Sequence, residues 1–330
     1  MKKFLGVKSF LILIIVGLVI TSCNIDDGTD TIPIPETDIV EIAAANADLS
    51  SLVAALQRAD LDNTLKGAGP FTVLAPTNTA FSSFLSANGF ANLEAVPAEV
   101  LEQILLNHVV TGRVDSAPLI NLQRNYLQTL ADGPNGSKLS LYFDAVNGVE
   151  FNGLSSVIET DVVAENGIIH IVDQVIAPPT IDTFISSDEN FEVFATALDA
   201  AAVASDLPEN LKEGAGGPYT VFVPSEQAFD NLLATNGDWD FVSDIEENLL
   251  AAVLEHHVLN GNIRSTDIVA GNMVATLEGD QITISSRDGN LEITDGSGNE
   301  GTPIEIVDIQ AANGVIHVIS NNVLLPDTTN

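Results

Sequence analysis

Cysteine is almost missing from this chain: Cys23 is the only one in 330 residues. A lone thiol excludes an intrachain disulfide framework and a zinc site built from several cysteines. Cations are scarce too. Eleven Lys and Arg stand against 46 Asp and Glu, a formal net charge of −35. Lys2, Lys3 and Lys8 crowd into the N-terminal segment, which holds no acid, and the other cations are scattered. Phosphate binding needs clustered cations, so a nucleic-acid partner is excluded, and adhesion to an anionic membrane surface is disfavoured. The acidity itself favours solubility and self-repulsion. Aromatics make up 5% of the chain against 45% apolar residues, so an aliphatic core with scattered Phe is expected. The apolar run Phe10–Ile20 has eleven residues. That is too short to span a bilayer comfortably but suits the apolar part of a signal peptide.

The small residues Thr21 and Ser22 stand directly before Cys23, and the stretch resembles a bacterial lipobox. The resemblance implies a signal peptide over residues 1–22, cleaved before Cys23, and lipid on the cysteine. Several acyl chains at ~0.8 kcal/mol per buried CH₂ give stable anchoring. The acidic pair Asp26-Asp27 is similar to the surface-export signal of Bacteroidota lipoproteins. The expected address is therefore the cell envelope, lipid-anchored at the outer membrane. The lipidated Cys23 and residues to 36 are acidic, rich in Thr and Pro and without periodicity, which reads as a flexible tether.

What remains is a duplication. Gly69–Phe81 reads GPFTVLAPTNTAF and Gly217–Phe229 reads GPYTVFVPSEQAF. Each predicts a buried strand ended by a proline (Pro76, Pro224), which has no N–H to donate. A hydroxyl N-cap (Thr77, Ser225) then opens a helix. Phe81 and Phe229 fall at the fourth helical position, where they can staple onto the prolines. His108 in LLNHVVTGRV matches His257 in LEHHVLNGNI, and His170 in ENGIIHIV matches His317 in ANGVIHVI. Offsets of 148, 149 and 147 between the matched landmarks imply two copies of a whole domain.

Within each copy helices come first. Thr37 or Asp38 is placed to cap one, and Asp48 a second with Leu49, Leu52, Val53 and Leu56 on its apolar face; Asn190 is the corresponding cap in the second copy. Pro97–Asn107 and Ile245–His256 have helical periodicity. Strands are predicted at Val109–Val114, Tyr126–Ala131, Lys138–Asp144, Val157–Val162 and Ile168–Val172, with hairpin turns at Gly133–Gly136 and Asp288–Asn290. Helices followed by a mostly antiparallel sheet is the α+β pattern.

Each repeat resembles a fasciclin domain, on the paired GPFTVLAPTNTAF and GPYTVFVPSEQAF segments, NHVVTG and HHVLNG, and NGIIHIVDQVIAP and NGVIHVISNNVLLP. The family's usual Tyr before the first histidine is replaced by Asn107 and His256. The resemblance implies tandem domains over 37–178 and 181–326, each a wedge-like β-sandwich with helices packed on one side. It further implies surface adhesion or matrix binding without catalysis. The partner expected is a surface, polysaccharide or protein, with the membrane reached only through the lipid.

The repeated histidines are the only ordered candidates for chemistry. A His-His metal or acid–base pair in each domain is one reading. Partly buried rings satisfied by backbone groups is the preferred one, since no carboxylate recurs beside both copies at ligand spacing. His108 and His257 end helices, where the macrodipole favours a cation. His256-His257 lacks an HExxH partner, no G-x-S-x-G elbow or Gly-rich phosphate loop occurs, and no serine recurs in a triad-like setting. Asp295–Gly301 offers oxygens at Asp295, Ser297 and Asn299. It has Glu300 and Ile306 where a calcium loop needs Gly and Glu, so it reads as a turn. No metal, cofactor or catalytic residue is therefore expected. The functional expectation is adhesion. Its alternatives are a module for a small apolar ligand (lipid or carotenoid) in the helix–sheet interface, and an envelope hydrolase marked by converging His, Asp and Ser.

Overall fold

The computed structural model describes residues 36–327 apart from Ala215 and Asp288. The signal peptide, Cys23, almost all of the tether and Asp288 of the second hairpin turn lie outside the described residues. The first domain runs α1 (Ile39–Ala45), α2 (Ser50–Arg58), α3 (Asp62–Leu65), β1 (Phe71–Pro76), α4 (Asn78–Ala87), α5 (Ala98–Asn107) and β2 (Val109–Thr111). It continues with α6 (Ser116–Leu122), β3 (Arg124–Asp132), β4 (Lys138–Asp144), β5 (Glu150–Phe151), β6 (Ser155–Ala164) and β7 (Gly167–Val172). The second runs α7 (Ile181–Ser187), α8 (Glu192–Ala200), α9 (Leu207–Glu213), β8 (Tyr219–Pro224), α10 (Glu226–Leu233), α11 (Glu247–His256) and β9 (Val258–Asn260). Five strands complete it: β10 (Asn272–Ala275), β11 (Gln281–Arg287), β12 (Asn290–Thr294), β13 (Thr302–Ala311) and β14 (Gly314–Ile319).

The two sheets are versions of one design. In the first domain β1 to β7 follow one another around a closed barrel, because β7 pairs parallel to β1 with Val73 opposite Ile169. The second domain keeps the parallel pair, with Val221 opposite Ile316, but its sheet stays open. Its edge strands β9 and β10 are linked only by the bridge Leu259–Thr276 just beyond β10. Every other strand pair is antiparallel. The order is not strictly helices then sheet: β1 and β8 form among the helices, and α6 interrupts the strands.

Alternation along the central strands divides each core in two. Val73 and Ala75 face the helical core with Leu52, Phe81 and Leu101, whereas Leu74 points into the barrel with Phe143 and Phe151. Val221 and Val223 likewise face the helices while Phe222 turns the other way, toward Ile284 and Ile293. A strand covered on both faces must be apolar at every position, hence the unbroken runs VLA and VFV.

The helix starts correct two sequence expectations. Asp38 caps α1 in a capping box with Glu41. The second cap is Asn46, not Asp48: its side chain accepts from the Asp48 N–H and starts a 3₁₀ turn that runs into α2. Asp188 does the same before α8, where Asn190 was expected. In both cases the chain needs a turn of 3₁₀ before the α-helix, which moves the cap two residues upstream. The strand Val109–Val114 also ends early, at Thr111, since Gly112 takes φ +91° and turns the chain away.

The domains belong to one compact unit and meet through side chains from both. The Tyr126 hydroxyl donates to Asp188 at 2.7 Å, and Arg124 pairs with Glu189 at 2.9 Å and with Asp144 at 2.7 Å. The Tyr142 ring joins the core of the second domain. Edge to face, the Tyr126 ring lies 5.4 Å from Phe184. The linker is held as well, with the Ala312 N–H donating to Pro179 O at 2.7 Å.

Candidate functional site

Both repeated corners are built as expected in backbone, but they differ at the cap. The Thr77 hydroxyl accepts from the Ala80 N–H at 3.1 Å. Ser225 occupies the same position with extended φ/ψ, yet its side chain makes no cap bond, and its Oγ is buried without a partner. The expected hydroxyl cap is therefore corrected for the second copy. Phe81 and Phe229 are both buried beneath the corner.

His108 and His257 follow the C-termini of α5 and α11. Each points inward rather than toward the solvent. His108 Nδ1 donates to Ile104 O at 2.7 Å, and Nε2 accepts from the Ile176 N–H at 2.9 Å. His257 repeats this with Val253 O at 2.7 Å and the Leu324 N–H at 2.9 Å. One nitrogen must be protonated and the other bare, which is the neutral ring. Burial lowers the pKa to about 4 for His108 and about 3 for His257, against a smaller opposing effect of the carbonyl bond. The helix-end cation suggested by the macrodipole is corrected: desolvation outweighs it.

His170 and His317 sit on β7 and β14 in the opposite tautomer. His170 Nε2 donates to Val114 O at 2.9 Å and Nδ1 accepts from the Asp161 N–H at 3.2 Å. In the second copy the partners are Ile263 O at 2.9 Å and the Asp308 N–H at 3.4 Å. Burial holds His317 below its ordinary pKa. The two aspartates sit at φ +62° and +65° in bulges of β6 and β13. Their carboxylates reach across to a serine: Asp161 accepts from Ser116 N–H and Oγ–H, and Asp308 accepts from Ser265 N–H at 2.8 Å and Oγ–H at 2.6 Å.

The structure adds a recurrence that the sequence reading did not name. An aspartate does recur beside a histidine in both copies, and a serine recurs with it. No spacing rule could find the trio, because the serine lies some 50 residues from the other two and is brought over by the loop after β2 or β9. The connectivity is not that of a nucleophile. The serine proton is committed to the carboxylate, and both ring nitrogens bond to backbone, so no imidazole nitrogen faces the hydroxyl to act as its base. The rings offer no free lone pair to a metal either. The trio pins the loop to the bulge.

The sequence reading missed other members of this network. Asn166 Oδ1 accepts from the Ile39 N–H at 3.0 Å, and its Nδ2 donates to Leu65 O and Gly67 O. Asn313 repeats the bonds to the Ile181 N–H and to Leu211 O. The following glycine lets β1 or β8 approach closely: a Cβ on Gly167 would lie 2.0 Å from Phe71 O, and one on Gly314 2.1 Å from Tyr219 O. The signal was present, as the repeated Asn-Gly before each buried histidine.

One metal-like cluster occurs among the described residues: His256, Glu278 and Asp280. His256 is fully buried; its Nε2 accepts from the Gly296 N–H at 3.1 Å, which leaves the proton on Nδ1, directed at Glu278 Oε2 at 3.3 Å. A metal on Nδ1 would move that proton to Nε2, donor against donor with Gly296. The loop at Asp295 is a turn, as expected: its carboxylate accepts from Ser297 Oγ–H, the Asn299 N–H and Nδ2–H, and the Leu325 N–H.

Two of the cavities bear on these readings. A cleft of about 560 Å³ lies between the β3–β4 turn (Asn135, Ser137) and the loop from Asn262 to Val269. Of its polar walls, Asn262 bonds to Gln310 and Arg264 Nη2 to Asp308, while Arg264 Nε is buried without a partner. An apolar slot of about 220 Å³ lies beside Trp239 in the second domain. It opens between helices and the C-terminal segment, not in the helix–sheet interface where the alternative reading put an apolar-ligand site; that interface is filled by the aliphatic core.

The fasciclin domain family model matches this chain twice, over residues 47–178 and 189–326. The chain belongs to the fasciclin family. Among curated relatives it is 40% identical over 141 residues to Protein sll1483 of Synechocystis, covering 43% of this chain and 73% of that protein. It is 30% identical over 279 residues to the transforming growth factor-beta-induced protein ig-h3 of Sus scrofa, covering 80% of this chain but 36% of that one. Human periostin is 26% identical over 289 residues, 86% of this chain and 30% of its own. The fasciclin fold also aligns with a solved FAS1 domain pair from the insect cell adhesion molecule fasciclin I, at TM-score 0.51 and 19% identity, over 85% of this chain and 98% of that one. Two tandem fasciclin domains, each mixing sheet and helices, are the architecture of this protein.

Proposed function

We propose that this chain is a non-catalytic adhesion protein of the bacterial cell envelope. In this reading acyl groups on Cys23 hold it at the outer membrane, and the fasciclin pair engages a surface, a matrix polysaccharide or a protein. The observation that carries the proposal is the tandem fasciclin pair itself, the arrangement aligned with the pair from an insect cell adhesion molecule. The state of the candidate chemistry supports it: the four repeated rings are bonded to backbone and the two serines to carboxylates. Among the described residues no single helix is long and apolar enough to cross a membrane, in keeping with attachment through lipid. The reading as a carotenoid or lipid carrier is not favoured. The apolar slot of about 220 Å³ is smaller than the roughly 300–1,000 Å³ of sites that enclose a whole ligand.

The test compares cells lacking the protein with cells carrying the native chain or its Cys23→Ser variant. Attachment and aggregation are expected to fall on deletion and to return only with the native chain. The variant is expected to lose acyl label and leave the membrane fraction. Unchanged attachment on deletion refutes the adhesive role; a variant that stays membrane-bound refutes the anchor.

A further inference from the structure

The slot beside Trp239 lies in the second domain. Its walls are Leu232, Trp239, Ile245, Leu249, Val253 and Leu325. In the first domain the position of Leu232 is held by Phe84, whose ring stacks on Phe90 at 6.5 Å. The second domain has the smaller Leu232 and keeps a cavity there. At about 220 Å³ it accommodates one large apolar side chain of something bigger, the kind of anchor that dominates protein interfaces. Phe241, two residues after Trp239, is 69% exposed.

The chain beside the walls has one sign of charge. Asp238 and Asp240 flank Trp239 in sequence, Asp244 and Glu246 flank Ile245, Glu247 follows, and no Lys or Arg occurs between Lys212 and Arg264; these five acids are taken as the rim. None of the five forms an ion pair with a basic side chain among the described residues. The Leu249 N–H and the Asn248 amide hold Glu246 below the ordinary carboxylate pKa. The first domain treats the matching loop differently. There Arg58 of α2 donates to Glu94 O and Val96 O, each at 2.8 Å. Aligning α2 with α8 puts Ala200 in the place of Arg58. The second domain thus lacks the internal cation that serves this loop in the first.

We propose that the Trp239 slot is a docking site for a basic protein segment that inserts a large apolar side chain and sets Arg or Lys against the acidic rim. The apolar group lies against Leu232, which stands where the first domain has Phe84, and against Trp239, which stands where it has Phe90. The cations take up the role of Arg58, with the indole face of Trp239 as a further partner. A second copy of this chain is a poor occupant, since its net charge of −35 opposes the approach of another acidic rim. A fatty acyl chain would fit the walls but leave the rim without a partner. This inference gives the adhesive reading a partner chemistry, but its test is independent of attachment.

Trp239 is the only tryptophan in the chain, so its fluorescence reports on the slot directly. The protein is titrated with the blocked peptide Gly-Arg-Arg-Phe-Arg-Gly. Controls are the same peptide with Ala for Phe, the same peptide with Glu for each Arg, and octanoate. The expected result is a saturable change with the first peptide that weakens with added salt, and at least tenfold weaker binding of each control. Leu232→Phe should close the slot and abolish the change at an unaltered melting temperature. Ala200→Arg should weaken binding by restoring an internal cation. Equal binding of the acidic peptide or of octanoate, a signal that depends on protein self-association, full binding by Leu232→Phe, or no saturable change at millimolar peptide each overturns the proposal. Lost attachment on deletion with no peptide response would refute the slot and leave the adhesive role standing.

Discussion

His108 and His257 show how a residue that invites a chemical reading is absorbed by the fold. Each ring joins a helix end to the last segment of its domain through two backbone bonds. Only the neutral ring can make both, so protonation breaks one and also charges a buried group. The unfolded ring titrates near its ordinary 6.5, the folded rings near about 4 and about 3. Below 6.5 the unfolded chain therefore binds protons that the folded one refuses. The stability tied to these rings is fully present above pH 6.5 and is lost as pH falls toward the folded values. Urea midpoints measured from pH 7.5 to 5, above most carboxylate titration, should decline in the native chain and more shallowly in His108→Gln. A zinc titration followed by calorimetry should show no tight site, because every histidine described here has both nitrogens engaged or, at His256, the metal-facing nitrogen protonated. One tight zinc per chain, lost in Glu278→Gln, would contradict that assignment.

The strand–proline–helix corner occurs twice with the same backbone and unequal caps. Thr77 bonds the Ala80 N–H, while Ser225 Oγ is buried and unpartnered. Thr77→Ala should therefore destabilise by about 1 kcal/mol, whereas Ser225→Ala should be neutral or slightly stabilising, since it removes a buried hydroxyl that makes no bond. Urea denaturation of the two single variants separates these outcomes; equal losses would show that the hydroxyl of Ser225 does cap its helix. The sheet shows a similar pattern of shared design and local divergence. The Asn-Gly before β7 and β14 ties the first helix of each domain to its last strand. The barrel closes only in the first domain, where β2 pairs with β3. In the second domain β9 and β10 meet at a single bridge.

Across the whole molecule, the contacts between domains make the pair more than two beads on a string. Asp188 carries two duties, capping the 3₁₀ turn before α8 and accepting from Tyr126 of the other domain. Tyr126→Phe should cost about 1–3 kcal/mol, the range for leaving a partly buried acceptor short of a donor. Asp188→Ala should cost more, because the cap goes as well. Calorimetry on the full chain should then show the domains unfolding in separate transitions where the native pair unfolds together. A single unaltered transition in Asp188→Ala would mean that the interface does not couple them.

The duplication, the fasciclin resemblance, the prolines that end β1 and β8 and the apolar runs buried on both faces were all legible in the sequence. Each rests on local chemistry that a short stretch carries with it: side-chain periodicity, a missing N–H, a hydroxyl beside a helix start. The same local reasoning placed Asp48 and Asn190 two residues from the true caps, since it could not see the 3₁₀ turns. It also gave Ser225 a bond that its burial denies. Only the tertiary structure decided which nitrogen of each histidine carries a proton, that Ser116 would meet Asp161, that one sheet would close and the other stay open, and that an apolar slot would lie beside Trp239. These depend on which distant groups fill the last hydrogen-bonding positions and the last few ångströms of space, and spacing along a chain does not encode that.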